Sequence, residues 1–234
     1  DKYVDYFVIV ESTFNHRGEK RNLNFDHKKF DKFKDKIIYL INDKEPEGIR
    51  QILEKDSENK KSGKYISNAS IRENEQRNFL MNGLEKANKD DLILVSDVDE
   101  IPNLENLDFN KINQKIILFK QEMFYYKFNL KLPNFTWTGT KACKKKYLET
   151  PQWLRNIKDR KYSFFRFDIF FSKTKFIDIK FIDKGGWHFT NLKKPKEIEH
   201  KLKSYLHHRE FDVNPISYNE IEEIIKNKIA IYDL

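Results

Sequence analysis

The segment Leu92–Pro102, with the sequence LILVSDVDEIP, constrains the fold more than any other part of the chain. Its first five residues form a nearly continuous apolar run, which predicts a strand in the centre of a parallel sheet covered on both faces. The acids Asp97, Asp99 and Glu100 follow at once, and a proline ends the segment. Since ligands of open α/β sheets bind beyond the carboxyl ends of the strands, we expect a ligand site at these acids.

Asp97 and Asp99 have the spacing of a divalent-metal site. Side chains alternate along an extended segment, so both carboxylates point to one side, where they repel each other unless a cation lies between them. Oxygen ligands favour Mg²⁺ or Mn²⁺, which often complete their coordination with water and substrate phosphates. The alternative is a solvated acidic turn, because two acids with this spacing occur by chance in many sequences.

Composition narrows the class of partner. The 234 residues carry 45 Lys and Arg against 37 Asp and Glu, and the resulting charge of +8 suits a nucleotide, a nucleic acid or a membrane surface. A solvated lysine-rich surface explains most of these lysines equally well. The single cysteine, Cys143, excludes an internal disulfide and a cysteine-based zinc site. The apolar runs fall short of the ~18 residues of a membrane span, so we expect no transmembrane segment.

Strands and a helix alternate in the first half of the chain. Residues 6–10 and 36–41 are apolar and predict two strands, each followed by polar residues. A capping box at Ser70-Ile71-Arg72-Glu73 predicts a helix that runs to about Ala87. Together with the strand at Leu92, this order of strand, strand, helix and strand predicts a parallel sheet.

The second half of the chain predicts further strands and a helical end. Strand-like segments are residues 116–119, 123–132, 135–143, 164–171 and 176–182, with a turn at Pro133-Asn134. Residues 151–162 are basic and predict an irregular segment. Helical patterns cover residues 196–207 and 218–229. No repeat or linker divides the chain, so we predict one domain, residues 1–234, with a C-terminal helical segment at about 195–234.

Gly185-Gly186-Trp187-His188 is the second segment that contains a candidate functional residue. Paired glycines allow a sharp turn or a close approach to a ligand, and His188 is either a nitrogen ligand for Mn²⁺ or a hydrogen-bonded structural residue. The sequence has no Gly-x-Gly-x-x-Gly, Walker A or Gly-x-Ser-x-Gly motif, which disfavours dinucleotide-binding, P-loop and α/β-hydrolase folds. The Asp-x-Asp-x-Thr pattern of haloacid-dehalogenase phosphatases is broken by Ile101.

Several of these segments together resemble family 17 of the glycosyltransferases. The similarity covers nearly the whole chain, with the elements in the family's order and at similar spacing. Its most specific parts are Asp97-Val-Asp99-Glu100-Ile-Pro102 and Gly186-Trp187-His188-Phe189. The other parts are Phe7-Val-Ile-Val-Glu11-Ser12, Glu75-Gln-Arg77-Asn78 and Lys201-Leu-Lys203-Ser-Tyr205-Leu-His207.

The resemblance implies a fold, a reaction and partners. The fold is an α/β, GT-A-type nucleotide-sugar transferase fold, with a mostly parallel central sheet flanked by helices and a small antiparallel addition. The reaction is transfer with inversion from a UDP-sugar, with UDP-GlcNAc preferred, to a glycan or glycoconjugate hydroxyl, assisted by Mn²⁺ or Mg²⁺. The chain lacks the membrane and stem regions and the extra cysteines of the animal members. We therefore expect a bacterial or viral-type relative in the cytoplasm rather than the Golgi lumen, with no nucleic acid partner.

The resemblance also implies roles for individual residues. Asp99 is the expected metal ligand and catalytic residue, Asp97 binds the metal or the ribose, and His188 is a further metal ligand. The expected contacts to the nucleotide-sugar are Glu11 and Ser12 on the uridine and Arg77 and Arg17 on the phosphates. For Arg77, a salt bridge to Glu73 one helical turn earlier is an equally good expectation.

The base that deprotonates the acceptor is not named by any motif. Glu100 is our first candidate, and Glu122 and Asp183 are the alternatives. Two other classes of function remain open from the residues alone. They are a metal-dependent phosphohydrolase or nuclease, which also uses clustered acids, and a non-catalytic carbohydrate-binding module with an aromatic face.

Overall fold

The structure, a computed structural model, describes residues 2–105, 107–206 and 208–231. It is a mixed α/β fold whose chain divides into two units. Unit 1 is made of Asp1–Glu85 and Lys194–Asn227, and unit 2 of Lys86–Lys193 and Lys228–Leu234. In the described part of the chain, no helix has both the length and the apolar character that a bilayer span requires.

Unit 1 contains two parallel strands, β1 (Phe7–Ser12) and β2 (Ile37–Asn42), paired residue by residue along their whole length. Both predicted strands are confirmed within one or two residues. A 3₁₀ helix at Phe79–Gly83 packs on β1, where a Cβ on Gly83 would lie 2.3 Å from a methyl carbon of Val8. Glycine at this position therefore permits the close approach of the 3₁₀ helix to the strand.

The helix of unit 1, α1 (Glu58–Asn78), begins twelve residues before the predicted capping box. Its N-cap is Ser57, whose side chain accepts a hydrogen bond from the amide of Lys60. Ser70 lies inside the helix, so the predicted start was wrong. The charged stretch before Ser70 also belongs to the helix, and its lysines form ion pairs with acids one turn away, as Lys61 does with Glu58.

The helix α2 (Pro151–Asn156) belongs to unit 2. Three further helices complete unit 1, namely α3 (Pro195–Ser204), α4 (His208–Val213) and α5 (Tyr218–Lys226). They lie within the predicted C-terminal helical segment, except that His207 falls outside the described residues. Ile221 and Ile224 of the predicted apolar stripe are buried, and a capping box starts α5.

Unit 2 contains a six-stranded mixed sheet. The strands are β3 (Leu92–Val95), β4 (Glu100–Pro102), β5 (Ile116–Tyr125), β6 (Lys131–Lys144), β7 (Ile179–Ile182) and β8 (Gly186–Thr190). They follow the order β3-β6-β5-β8-β4, with β7 also on β5. The β3–β6, β5–β6 and β4–β8 ladders are antiparallel, whereas β5–β7 and β5–β8 are parallel.

The prediction of a mostly parallel central sheet does not describe this sheet. In the described residues β3, the predicted centre, pairs only with β6 and in the antiparallel direction. The apolar run signals burial on both faces, but burial does not fix the direction of the neighbouring strand. The sheet core lies on β5, where Ile116–Phe119 are almost completely buried.

Three local predictions in unit 2 were wrong. Pro133-Asn134 is not a turn but part of β6, close to a register shift between the β5 and β6 strands, where a proline is tolerated. The segment predicted to be irregular contains α2 (Pro151–Asn156), with Thr150 as N-cap and proline at its first position. Residues 164–171 form turns and a 3₁₀ helix at Phe167–Ile169 rather than a strand.

Candidate functional site

The acids that follow β3 lie on a tight turn between β3 and β4. The Glu100 amide donates to the Asp97 carbonyl at 3.0 Å, and the Asp97 amide donates back to Glu100 Oε2 at 3.0 Å. Val98 at the tip is fully exposed. The side chains of Asp97 and Asp99 are 40% and 31% exposed, so both carboxylates remain accessible to a ligand.

Glu100 faces the opposite way, into the protein, and its side chain is 1% exposed. Besides the Asp97 amide, its carboxylate accepts from Trp137 Nε1 at 2.8 Å and from both terminal nitrogens of Arg155 at 2.8 and 2.9 Å. A general base needs a lone pair that can reach the substrate. These four donors occupy the Glu100 carboxylate, and the geometry therefore favours a positioning role over that of a base.

A glycine makes room for this buried carboxylate. On β6, a Cβ at Gly139 would lie 2.9 Å from Glu100 Cδ and 1.8 Å from Gln121 Oε1. The Gly139 carbonyl also accepts a hydrogen bond from Arg155. Any larger residue at position 139 would displace the carboxylate that holds the acidic turn.

Arg155 connects the turn to α2. Its side chain is 10% exposed, and it donates to Asp97 Oδ2 at 2.9 Å in addition to Glu100. Behind it, the buried Lys141 Nζ donates to the Arg155 carbonyl at 2.6 Å and to the Ile157 carbonyl at 2.5 Å, which satisfies the last carbonyls of α2. Burial, with a smaller contribution from the Arg155 charge, lowers the pKa of Lys141 to about 8.

His188 on β8 lies beside the acidic turn because β8 pairs with β4, with Glu100 opposite His188. The His188 Nε2 atom is 3.4 Å from Asp99 Oδ1, and the Asp99 carbonyl accepts from the Phe189 amide at 2.9 Å. The imidazole ring lies 5.1 Å from the Trp137 ring. Its other nitrogen, Nδ1, is buried and has no hydrogen-bond partner in the part of the chain that the structure describes.

Asp99 and His188 would supply only part of the coordination of a divalent ion. Within the described ranges, no group of three or more His, Cys, Asp or Glu side chains is arranged to hold a metal. The 3.4 Å between Asp99 and His188 is close to the separation of two ligands that share one ion with bonds of about 2.1 Å. Mg²⁺ sites often use one or two carboxylates and leave the other positions to water and substrate phosphates, which Asp99 fits, whereas the imidazole of His188 is a less usual ligand for such an ion.

Glu11 lies in unit 1 and holds the loop that follows β1. Its carboxylate accepts from the amides of Asn24 and Phe25, from the Tyr39 hydroxyl at 2.8 Å and from Arg21 at 2.9 Å. Burial raises the pKa of Glu11, but these hydrogen bonds outweigh it, so its pKa lies below the ordinary value. The Glu11 carboxylate, which was predicted to contact uridine, thus makes its hydrogen bonds to the loop that follows β1 and to Tyr39.

The other predicted nucleotide contacts of unit 1 also have partners. Ser12 is buried, and its hydroxyl accepts from the Phe14 amide at 3.1 Å. Arg77 pairs with Glu73 at 3.0 Å, which is the alternative that the helix pattern left open. Arg17 pairs with Asp212 at the edge of a cavity of ≈ 500 Å³ in unit 1.

The two alternative bases lie elsewhere in unit 2, Glu122 on the other face of the sheet and Asp183 in the exposed turn between β7 and β8. Glu122 is opposite Trp187 in the β5–β8 ladder, and successive residues of a strand point to opposite faces, so Glu122 and His188 are separated by the sheet. Glu122 also pairs with Lys131. Asp183 is 81% exposed and lies 3.5 Å from Lys120. Neither carboxylate faces the Asp99–His188 pair.

Three residues of the site escaped the sequence analysis: Arg155, Trp137 and Lys141. Thr150-Pro151 is a recognisable helix start, and it would have placed Arg155 in the last turn of a short helix. No local signal shows that this arginine pairs with a glutamate 55 positions earlier. The pairing depends on the strand order, which the apolar pattern does not determine.

Comparison with known proteins decides the family. The model of the family described as glycosyltransferase family 17 matches residues 1–234, the whole chain. The chain belongs to glycosyltransferase family 17. No curated protein and no solved structure matched it.

Two distant segments of this family 17 glycosyltransferase meet in the sheet of unit 2. The segments that carry the most specific resemblance, Asp97–Pro102 and Gly186–Phe189, come together in the β4–β8 ladder. A family 17 glycosyltransferase transfers a sugar from a donor to an acceptor, so both are partners of this chain.

Proposed function

We propose that the chain is an inverting, metal-dependent N-acetylglucosaminyltransferase that uses UDP-GlcNAc and acts on a hydroxyl of a glycan or glycoconjugate. The observation that supports it best is the distance of 3.4 Å between Asp99 Oδ1 and His188 Nε2, two residues that belong to the most specific segments of the family resemblance. Because the family match spans both units, we treat the chain as one catalytic domain with a GT-A-type fold.

Asp99 and His188 would hold Mn²⁺ or Mg²⁺, whose charge favours departure of the UDP diphosphate. Other side chains would bind the donor and hold the acidic turn in place. Arg155 fixes the Asp97 carboxylate and leaves part of it exposed, which suits a hydrogen bond to a ribose hydroxyl. Glu100 holds the Asp97 amide and so keeps the turn in one conformation before the donor binds.

Transfer with inversion requires the acceptor hydroxyl to attack the anomeric carbon from the side opposite the diphosphate. The C–O bond to UDP breaks as the new bond forms, and the hydroxyl proton passes to a base. Glu100 is enclosed by hydrogen-bond donors, Glu122 lies on the far face of the sheet, and Asp183 lies in an exposed turn beside Lys120. We therefore assign Glu100 to positioning and do not assign the base to the other two.

The residues of unit 1 have subordinate roles in this proposal. Glu11 and Ser12 shape the end of β1, where the uridine is expected, through the loop contacts that they make. A phosphate contact from Arg77 or Arg17 requires each to exchange its present carboxylate partner, Glu73 or Asp212. We therefore rank both arginines behind Asp99 as donor contacts.

Thermal melting with ligands tests the proposal. UDP and UDP-GlcNAc should raise the melting temperature only when Mn²⁺ is present, because binding to the native state alone stabilises it in proportion to ln(1 + [L]/Kd). Asp99→Asn should abolish this shift. It should also lower kcat/KM for sugar transfer by about 10²–10³-fold, the usual cost of removing a group that stabilises the departing charge. The melting temperature without ligand should stay close to that of the parent protein, since the Asp99 side chain is only partly buried.

Asp183→Asn is the matched control. It removes a carboxylate from the same unit, but from an exposed turn between β7 and β8, and should leave the shift unchanged. No stabilisation by UDP at any Mn²⁺ concentration would contradict the proposal. Equal stabilisation by AMP would favour a phosphohydrolase or nuclease, and stabilisation by free sugars without metal would favour a carbohydrate-binding module.

A further inference from the structure

One loop of unit 2 exposes an unusual amount of aromatic surface. Its five exposed phenylalanines are Phe164 (69% exposed), Phe165 (86%), Phe167 (79%), Phe170 (61%) and Phe171 (90%). At 150–250 Å² for each ring, they leave roughly 600 Å² or more in contact with solvent. This is at the upper end of the largest apolar patch on a typical monomer, which marks an interaction surface.

The loop, which we call the phenylalanine loop (residues 160–175), is held in place at its base. The Lys158 amide donates to the Thr174 carbonyl at 2.8 Å, and Trp153 Nε1 donates to the Lys173 carbonyl at 2.8 Å. Ile169, the last residue of the 3₁₀ helix, is buried. These contacts fix the base while the aromatic side chains project outward.

Three of the exposed rings lie close to one another. The Phe164 ring lies 6.3 Å from Phe165 and 6.2 Å from Phe170, in both cases edge-on, at 80° and 88°. Rings set at right angles do not form the flat platform on which a sugar ring stacks. Rings that project separately in this way suit insertion into a deformable apolar environment such as the edge of a lipid bilayer.

The charge of the loop indicates what kind of apolar partner it would contact. The phenylalanine loop carries five basic residues, Arg160, Lys161, Arg166, Lys173 and Lys175, and a single acid. That acid, Asp168, is already paired with Arg166 at 2.9 Å and Lys175 at 2.6 Å. The loop therefore has a surplus of positive charge around its aromatic residues, which complements an anionic surface.

We propose that the phenylalanine loop docks the protein on an anionic lipid bilayer. Phe165 and Phe171, the most exposed rings, enter the boundary between headgroups and acyl chains. The surrounding lysines and arginines, with long apolar stems, lie at headgroup level and contact lipid phosphates. Exposed apolar rings surrounded by basic residues are the pattern of proteins that lie on a membrane without crossing it.

Vesicle co-sedimentation tests this proposal without reference to sugar transfer. The protein should sediment with vesicles of phosphatidylglycerol and phosphatidylcholine, less so at high salt, and weakly with phosphatidylcholine alone. Phe165→Ser with Phe171→Ser should weaken binding at least about tenfold, because each buried ring contributes a hydrophobic transfer free energy. The melting temperature should not fall, since neither ring is buried in the fold.

Phe128→Ser is the matched control, because Phe128 is 72% exposed in the turn between β5 and β6, outside the loop. It should bind vesicles as the parent protein does. Equal binding of the double variant, equal binding to both vesicle types, or no binding by the parent protein would each overturn the proposal. Self-association that the double variant abolishes, without vesicle binding, would assign the loop to contact between copies of this chain.

Discussion

At the scale of single residues, the acids of the turn divide by environment rather than by position in the sequence. Asp97 and Asp99 are accessible, whereas Glu100 is buried and receives four hydrogen bonds. The sequence indicated all three, because they follow an apolar strand. It also indicated His188, but it assigned Glu100 a role that requires an accessible carboxylate. The partners that bury this carboxylate, Trp137 and Arg155, come from distant parts of the chain.

Glu100→Gln should therefore affect stability more than chemistry. It removes the buried carboxylate that pairs bidentately with Arg155, whose guanidinium is 10% exposed and keeps its contact with the part-exposed Asp97. Breaking a buried pair in this way costs about 3–5 kcal/mol of unfolding free energy. Urea unfolding of the variant and the parent measures the difference. Arg155→Met added to Glu100→Gln should destabilise less than the sum of the two single changes, because either single change already breaks the Arg155–Glu100 pair. A variant that keeps full stability yet loses transfer more than about 10³-fold would instead identify Glu100 as the base.

At the scale of elements, apolar runs predicted where strands form but not how they pair. The strands β1, β2 and β3 were found from their side chains alone. The antiparallel partner of β3 is β6, whose residues lie about 50 positions away along the chain. Because the two strands are so far apart, the sequence around either one does not predict that they pair. The short helix α2 was missed because six residues are too few to show an apolar period, although its cap was visible.

The end of α2 gives a pH dependence that can be measured. Lys141 has a pKa of about 8 in the folded protein and an ordinary value of 10.5 when unfolded, so between these values the folded state binds fewer protons. The unfolding free energy should then rise with pH across this window, by on the order of 2–3 kcal/mol. A neutral amine still has the hydrogens to donate to the Arg155 and Ile157 carbonyls.

Lys141→Met is the variant that isolates this effect. Denaturant unfolding from pH 8 to above 10.5 should show a flatter pH dependence in Lys141→Met than in the parent protein, because methionine does not titrate. Lys144→Met, three residues further along β6 at its exposed end, is the control and should keep the parent profile. Parallel profiles for Lys141→Met and the parent would show that the lysine titrates normally in the fold.

At the scale of the whole molecule, unit 1 is built from two separate parts of the chain. The helices α3, α4 and α5 pack within the unit that contains β1 and β2, although the whole of unit 2 up to Lys193 lies between them in the sequence. The sequence predicted both the C-terminal helical segment and the two strands, but not that they belong to one unit. Amphipathic patterns show that a face is buried, but they do not identify what covers it.

Ile221→Ala tests whether unit 1 unfolds as one body. Ile221 in α5 is completely buried, and its truncation should cost about 2–5 kcal/mol. Hydrogen exchange should then increase in residues 1–85 as well as in 194–227. Ile117→Ala, at a buried position of β5, is the matched change in unit 2 and should increase exchange in residues 86–193. Increased exchange confined to α5 would contradict a cooperative unit of both segments.

The contact between Arg155 and Glu100 has a consequence for how the family is recognised in other genomes. A guanidinium and a carboxylate that bury each other have to be replaced together, so the two positions should co-vary among homologues. The acidic motif then has a further member on α2, 55 positions downstream of Glu100. Homologues that keep both aspartates of the motif should carry either the Glu–Arg pair or neither charge. A sequence profile that scores the pair jointly should separate family members from chance matches better than the acidic motif alone.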